Sequence, residues 1–114
     1  MIRELDNVRL SKKQKRELAS FLRKLKKVLN VSEVYLFGSR VYGTPLVDSD
    51  LDMVVVSDEF GKRSFIENMI LLSMLWDGSF SIEMFPYTGE ELKKFYGRKT
   101  IVTEALDRGV RVKL

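Results

Sequence analysis

The sequence predicts an α/β (α+β) domain in which helices pack against a small mixed β-sheet. Two observations predict it. Segments with apolar residues at helical spacing alternate with short runs of β-branched and aromatic residues. The chain has 114 residues, 45% of them hydrophobic, which is a common size for one domain and enough to bury a core. Residues 1–114 therefore read as a single unit, without internal repeat, low-complexity tract or linker.

Ser11 precedes a run of good helix formers and reads as an N-cap. Leu18, Phe21, Leu22, Leu25, Val28 and Leu29 then recur at helical spacing, with Lys and Arg between them, so an amphipathic helix of about 18 residues is expected. Asn30 ends it. Val31–Phe37 reads as a first strand. Gly38-Ser39 breaks that strand and starts a turn or short helix reaching Gly43, and Pro45 marks a loop. Asp50–Val56 reads as a second strand whose Val-Val-Val end is typical of a buried one. Asp58–Arg63 is expected as a polar loop. Ser64 caps a third helix running to Trp76, Asp77-Gly78-Ser79 is a turn, and Phe80–Tyr87 is a third strand. Thr88 and Glu91 have capping-box spacing before another helical segment, which Gly97 interrupts. Thr100–Arg108 resumes as a short helix that Gly109 terminates, and Val110–Leu114 alternates like a final strand.

The third helix departs from the amphipathic norm. Its apolar residues, from Phe65 to Trp76, cover most of its circumference at 100° per residue. Either the domain wraps it, or one side packs on the sheet and the other meets a second chain, in which case a homo-oligomer through residues 65–76 is one arrangement.

There are no cysteines and no histidines. Disulfides, thiolate catalysis, imidazole bases, Ser-His-Asp triads and Cys- or His-ligated zinc are excluded. Chemistry must run on carboxylates, hydroxyls, Lys, Arg and backbone N–H groups, and a hard cation such as Mg²⁺ or Mn²⁺ suits the remaining ligands. The charged opening Met-Ile-Arg-Glu-Leu-Asp does not resemble a signal peptide, and the apolar stretch Met69–Trp76 is too short to span a bilayer. A cytoplasmic protein with no membrane contact is expected. The net charge is +4, but residues 1–30 carry ten Lys or Arg against three acidic residues. That basic segment is either a solvated helix face or a docking surface for RNA or an acidic protein.

Gly38-Ser39, ten residues, then Asp50-Leu51-Asp52 is the arrangement that carries chemistry. Side chains two apart on a strand share a face, so Asp50 and Asp52 project together. Two carboxylates that close repel unless a cation sits between them, and rigid same-side carboxylates are what two-metal phosphoryl transfer requires. Glycine after a strand permits close backbone approach, and the Ser39 hydroxyl and any helical N–H groups beginning there favour phosphate. Asp48, Asp50, Asp52 and Glu59 also have the acidic spacing of an EF-hand loop. Its sixth position needs Gly, where Met53 stands, and the following valines favour a strand, so that reading is set aside.

Leu36–Arg40 through Ser49–Asp52 resembles the G-S-x₁₀-D-x-D signature of the DNA polymerase β-like nucleotidyltransferase superfamily, and in particular its minimal branch, the MNT proteins paired with HEPN partners. The resemblance spans nearly the whole chain and implies a nucleotidyltransferase fold. It implies that Gly38 and Ser39 hold the triphosphate, that Arg40 is a basic phosphate contact, and that Asp50 and Asp52 bind two Mg²⁺ ions. Gly43 matches a small position after the motif. The third carboxylate of the family falls on Glu83 in Ser81–Pro86, one methylene longer than the commoner Asp. Lys62 and Arg63 are further phosphate-contact candidates without motif support. The resemblance further implies ATP as donor, adenylylation of a HEPN-type partner and an antitoxin role. An RNA 3′ end is a second acceptor class. A non-catalytic subunit that masks its partner by contact is the alternative.

Overall fold

The computed structural model describes residues 3–42 and 50–114, so the expectations for Gly43 and the Pro45 loop lie outside the described residues. Helix α1 spans Lys12–Leu29, followed by β1 (Glu33–Phe37), α2 (Ser39–Tyr42) and β2 (Leu51–Val56). Then come α3 (Phe65–Leu75), β3 (Ile82–Tyr87), α4 (Gly89–Phe95), α5 (Thr100–Arg108) and β4 (Val110–Lys113). The strands form one mixed sheet ordered β3-β2-β1-β4. β1 runs antiparallel to both β2 and β4, while β2 and β3 are parallel, joined by the crossover that contains α3. The expected α+β architecture is the one that forms.

Local signals place the helices. The Ser11 hydroxyl accepts from the Gln14 N–H and the Gln14 side chain accepts from the Ser11 N–H, closing a capping box at α1. Asn30 ends the helix in the left-handed region at φ 52°. Ser64 with Glu67, and Thr88 with Glu91, form the same reciprocal cap on α3 and α4. Val28 falls outside the buried stripe of α1, and 55% of it is exposed.

The sheet is covered unequally on its two faces. On one, Leu51, Met53 and Val55 of β2 join Val34, Leu36, Met84 and Val112 under α1 and Leu72 of α3. Leu5 and Val8, from a 3-10 turn at Arg3–Asn7 and the residue that follows it, complete this layer. On the other face, Phe37, Val54, Val56 and Tyr87 pack with Leu92 of α4 and with Val102 and Ala105 of α5. The alternation of β2 between the layers follows from the two-residue repeat of a strand.

One expectation changes, one is refined and one open alternative is closed. Asp58–Lys62 is a 3-10 turn with Phe60 buried, not a polar loop, and the Asn68 amide of α3 donates to the Phe60 carbonyl at 2.9 Å. Gly109 does end α5, but at φ −77°. Glycine is needed there because a Cβ would stand 2.4 Å from the Ala105 carbonyl and 2.8 Å from the Leu36 carbonyl. The domain does not wrap α3. Only Asn68 and Leu72 are buried on it, while Ile66, Ile70 and Met74, one turn apart on one side, are 68%, 55% and 78% exposed.

Candidate active site

Sheet register builds the site. Phe37, the last residue of β1, pairs with Asp52 of β2, and Asp52 pairs in parallel with Glu83 of β3. Asp52 belongs to the same β2 face as Val54 and Val56, and Glu83 to the same β3 face as Phe85 and Tyr87, so both carboxylates emerge on the α4/α5 side where the apolar packing stops. The two carboxyl groups meet within hydrogen-bonding reach. Glu83 lies exposed on an edge strand, as the simplest reading of a lone strand glutamate would have it, yet directly beside Asp52. Asp50 stands exposed one residue before β2 and adds its charge to the field at Asp52.

Gly38 closes the other side. It holds φ +90°, and a Cβ there would lie 2.2 Å from Oδ2 of Asp52. Glycine is therefore demanded by backbone conformation, and a Cβ there would also displace the Asp52 carboxylate. The Gly38 carbonyl accepts from the N–H groups of Val41 at 3.0 Å and Tyr42 at 3.2 Å, which starts α2 at Ser39. Arg40 is engaged with the segment before α1: its guanidinium donates to the Arg9 carbonyl at 3.2 Å, and the Arg9 N–H donates to the Arg40 carbonyl at 2.8 Å.

Electrostatics mark Asp52. Partial burial, then the Glu83 charge and hydrogen bond, then Asp50 and Glu104, raise its pKa from 3.8 to about 6. At neutral pH the carboxylate is ionised against the pull of its surroundings, and such a carboxylate favours a cation. Among the described residues no three acidic side chains are gathered around one point as a ready ligand set. Asp52 and Glu83 supply hard oxygen donors from two rigid strands and Asp50 stands at the mouth, so the donor chemistry fits Mg²⁺ or Mn²⁺.

Lys62 and Arg63 are not part of this site. They follow the opposite end of β2, about 13 Å of strand away from Asp52. Lys62 pairs there with Glu59 at 3.0 Å, and the Arg63 guanidinium donates to Oδ1 of the Asn68 side chain at 3.1 Å. Conversely, sequence reasoning missed Glu104 of α5, whose charge reaches Asp52, and Tyr42, whose hydroxyl donates to Glu104. No spacing rule links positions so distant in the chain. Glu104 also borders an open groove of about 400 Å³ that includes Arg98, Lys99, Thr103 and Arg108.

Residues 15–109 match the family model of the nucleotidyltransferase domain, a stretch that includes Gly38, Ser39, Asp50, Asp52 and Glu83. The chain belongs to the nucleotidyltransferase domain family. Domains of this family generally use nucleoside triphosphates and divalent metals, and the chain is accordingly a nucleotidyl transferase in class. A crystal structure from Sulfolobus solfataricus, described provisionally as a nucleotidyltransferase, superposes with a TM-score of 0.57 at 21% identity, covering 69% of this chain and 70% of that one. At that identity it shows a shared fold. No curated protein matches. Among the described residues of this nucleotidyltransferase domain, no helix is long and apolar enough to cross a membrane.

Proposed function

We propose that this nucleotidyltransferase moves AMP from ATP to a hydroxyl on a HEPN-type protein partner, in the cytoplasm, and so serves as the antitoxin of a HEPN/MNT pair. The observation that carries the chemistry is the row Gly38–Asp52–Glu83, with a backbone cradle touching one of two facing carboxylates. Asp50, Asp52 and Glu83 would hold two Mg²⁺ ions, which when bound supply charge neutralisation at the α-phosphate and lower the pKa of the attacking hydroxyl. Gly38 lets the backbone approach the triphosphate, the Ser39 hydroxyl donates to it, and Arg40 adds positive charge. The attacking oxygen forms a bond to the α-phosphorus, the bond to the bridging oxygen breaks, pyrophosphate leaves and the hydroxyl proton passes to solvent. Positioning and charge neutralisation do most of the work in such transfers.

A protein acceptor is supported by the resemblance to HEPN-paired MNT proteins and by the unburied apolar stripe of α3, which offers a partner contact. Two observations favour the non-catalytic alternative, in which the chain masks its partner by contact: Glu83 is exposed, and among the described residues the three acids are not gathered as a closed set.

The test combines the protein, Mg²⁺, α-labelled ATP and the product of the adjacent gene, with Asp50→Ala and Asp52→Ala as controls. Label on the partner that disappears in both variants is the expected result. Stable partner binding without label selects the masking subunit. Label that accumulates on added RNA instead assigns the acceptor to a 3′ end and gives the exposed basic residues of α1 a role.

A further inference from the structure

Helix α2 is one turn long, yet it carries Ser39 and follows the glycine that touches Asp52. Four residues of helix cannot hold their own conformation, so something outside must fix them. Two contacts converge on the last residue of α2 from α5, far along the chain. The Tyr42 hydroxyl donates to a carboxylate oxygen of Glu104, and the Arg108 guanidinium lies 3.9 Å from the centre of the Tyr42 ring. The same tyrosine donates its backbone N–H to the Gly38 carbonyl at 3.2 Å. Two hydrogen bonds therefore link α5 to Gly38 through one residue. α5 itself is seated by Val102 and Ala105, both fully buried.

Glu104 is held by α5 where the Tyr42 hydroxyl donates to it, and the open groove it borders also takes in Arg108, which stacks on the same tyrosine ring.

From this geometry we infer that Tyr42 is a positioning residue for nucleotide binding: Glu104 and Arg108 clamp its ring and hydroxyl, and the clamp sets the Gly38-Ser39 turn in the orientation that accepts the triphosphate. The inference rests on the reading of Gly38-Ser39 as the triphosphate cradle. Asp52 and Glu83 are placed by sheet register and not by Tyr42, so the clamp governs the nucleotide rather than the bare cation. Tyr42 touches no reacting atom in this account.

The test is equilibrium binding of each of the four nucleoside triphosphates, with Mg²⁺, to the full chain and to Tyr42→Phe, Glu104→Gln, Glu104→Ala and the double variant Tyr42→Phe/Glu104→Ala. Mn²⁺ binding without nucleotide and thermal melting are measured alongside. Tyr42→Phe keeps the ring and its contact with Arg108 and removes only the hydroxyl. It is expected to bind the preferred nucleotide about tenfold more weakly, the size of a lost hydrogen bond to a charged group, with Mn²⁺ affinity unchanged. Glu104→Gln, which keeps an acceptor oxygen, should recover part of that loss. The double variant should lose no more than Tyr42→Phe, as two partners in one interaction require. Lowered melting temperature with nucleotide affinity unchanged in Tyr42→Phe overturns the inference and leaves the clamp as ordinary packing. Ser39→Ala separates the two readings. If it binds nucleotide as the parent does, the triphosphate cradle itself is wrong. If Ser39→Ala weakens binding and Tyr42→Phe does not, only the clamp fails. A parent chain that binds none of the four overturns both.

Discussion

Along β2, Leu51, Met53 and Val55 enter the layer under α1 and α3, each fully buried, whereas Asp52, Val54 and Val56 face α4 and α5. The first set is apolar to its end. The second is apolar only for its last two members and gives way to a carboxylate at the edge of the packing. One strand thus divides its work by parity: one face anchors it, and the anchored backbone holds an unfavourably placed charge on the other. Leu51, Met53 and Val55, each fully buried, anchor the backbone that carries Asp52, and Val54 and Val56 continue the packing on its own face. The lesson is that a small domain can hold charge at a fixed point only where the reverse face of the same strand is fully committed to the core.

The largest effect that tests this division is at Asp52. Asp52→Ala should reduce nucleotidyl transfer at least about a thousandfold, as loss of a group that stabilises transition-state charge does, and should not destabilise the fold. Met53→Ala, one residue away, should do the reverse: about 2–5 kcal/mol less stability in urea unfolding, with activity per folded molecule retained. Equal destabilisation by the two substitutions would break the parity argument. Gly38→Ala comes next. Its methyl would collide with Asp52 and force an L residue into φ +90°, so a loss of about tenfold to a hundredfold in nucleotide affinity is expected, along with lower stability.

A smaller effect is the pH dependence of the metal-free protein. Asp52 holds its proton up to about pH 6 when folded and releases it near the ordinary 3.8 when unfolded. Between those values the folded state binds more protons, so stability should fall as pH rises through that window and then level off. The group is partly exposed, and screening limits the change to about 1 kcal/mol. Asp52→Asn should remove the slope and be the more stable protein at pH 7.5. Mg²⁺ should raise the melting temperature of the parent at pH 7.5 more than at pH 5, where the proton competes.

Most of the frame is written locally. The caps at Ser11, Ser64 and Thr88, the end at Asn30 and the alternation in β2 were all legible, because each depends on residues within a turn or a strand of one another. Gly38, which follows β1, and Asp52 of β2 were legible only through the G-S-x₁₀-D-x-D spacing and the family it resembles. What the sequence hid is contact between distant positions. Phe60 reads as one aromatic in a polar stretch until Asn68 is seen to bond its carbonyl. Glu104 reads as a surface charge on a short helix until α5 is laid against α2. Sheet order also decided against Lys62 and Arg63, which are near Asp52 in number but beyond the far end of its strand. Gly109 was read correctly as a stop, but only the packed structure shows which carbonyls crowd it.

The last comparison is between the helices that share the closed face. α1 buries six residues and turns lysines and arginines outward, whereas α3 buries two and turns Ile66, Ile70 and Met74 outward. Charge closes the first helix to apolar association, and the second is left open to it. Ile70 and Met74 are exposed, so Ile70→Glu and Met74→Glu should each change the stability of the isolated chain by less than about 0.5 kcal/mol, read from urea unfolding. If α3 meets a partner, the same substitutions should abolish co-purification with the product of the adjacent gene, because a carboxylate would be desolvated without a counter-charge. If α3 instead joins two copies of this chain, they should convert a dimer to a monomer in sedimentation analysis. Should neither association respond, the outer side of α3 is a solvent-facing surface, and the contrast with α1 is one of composition only.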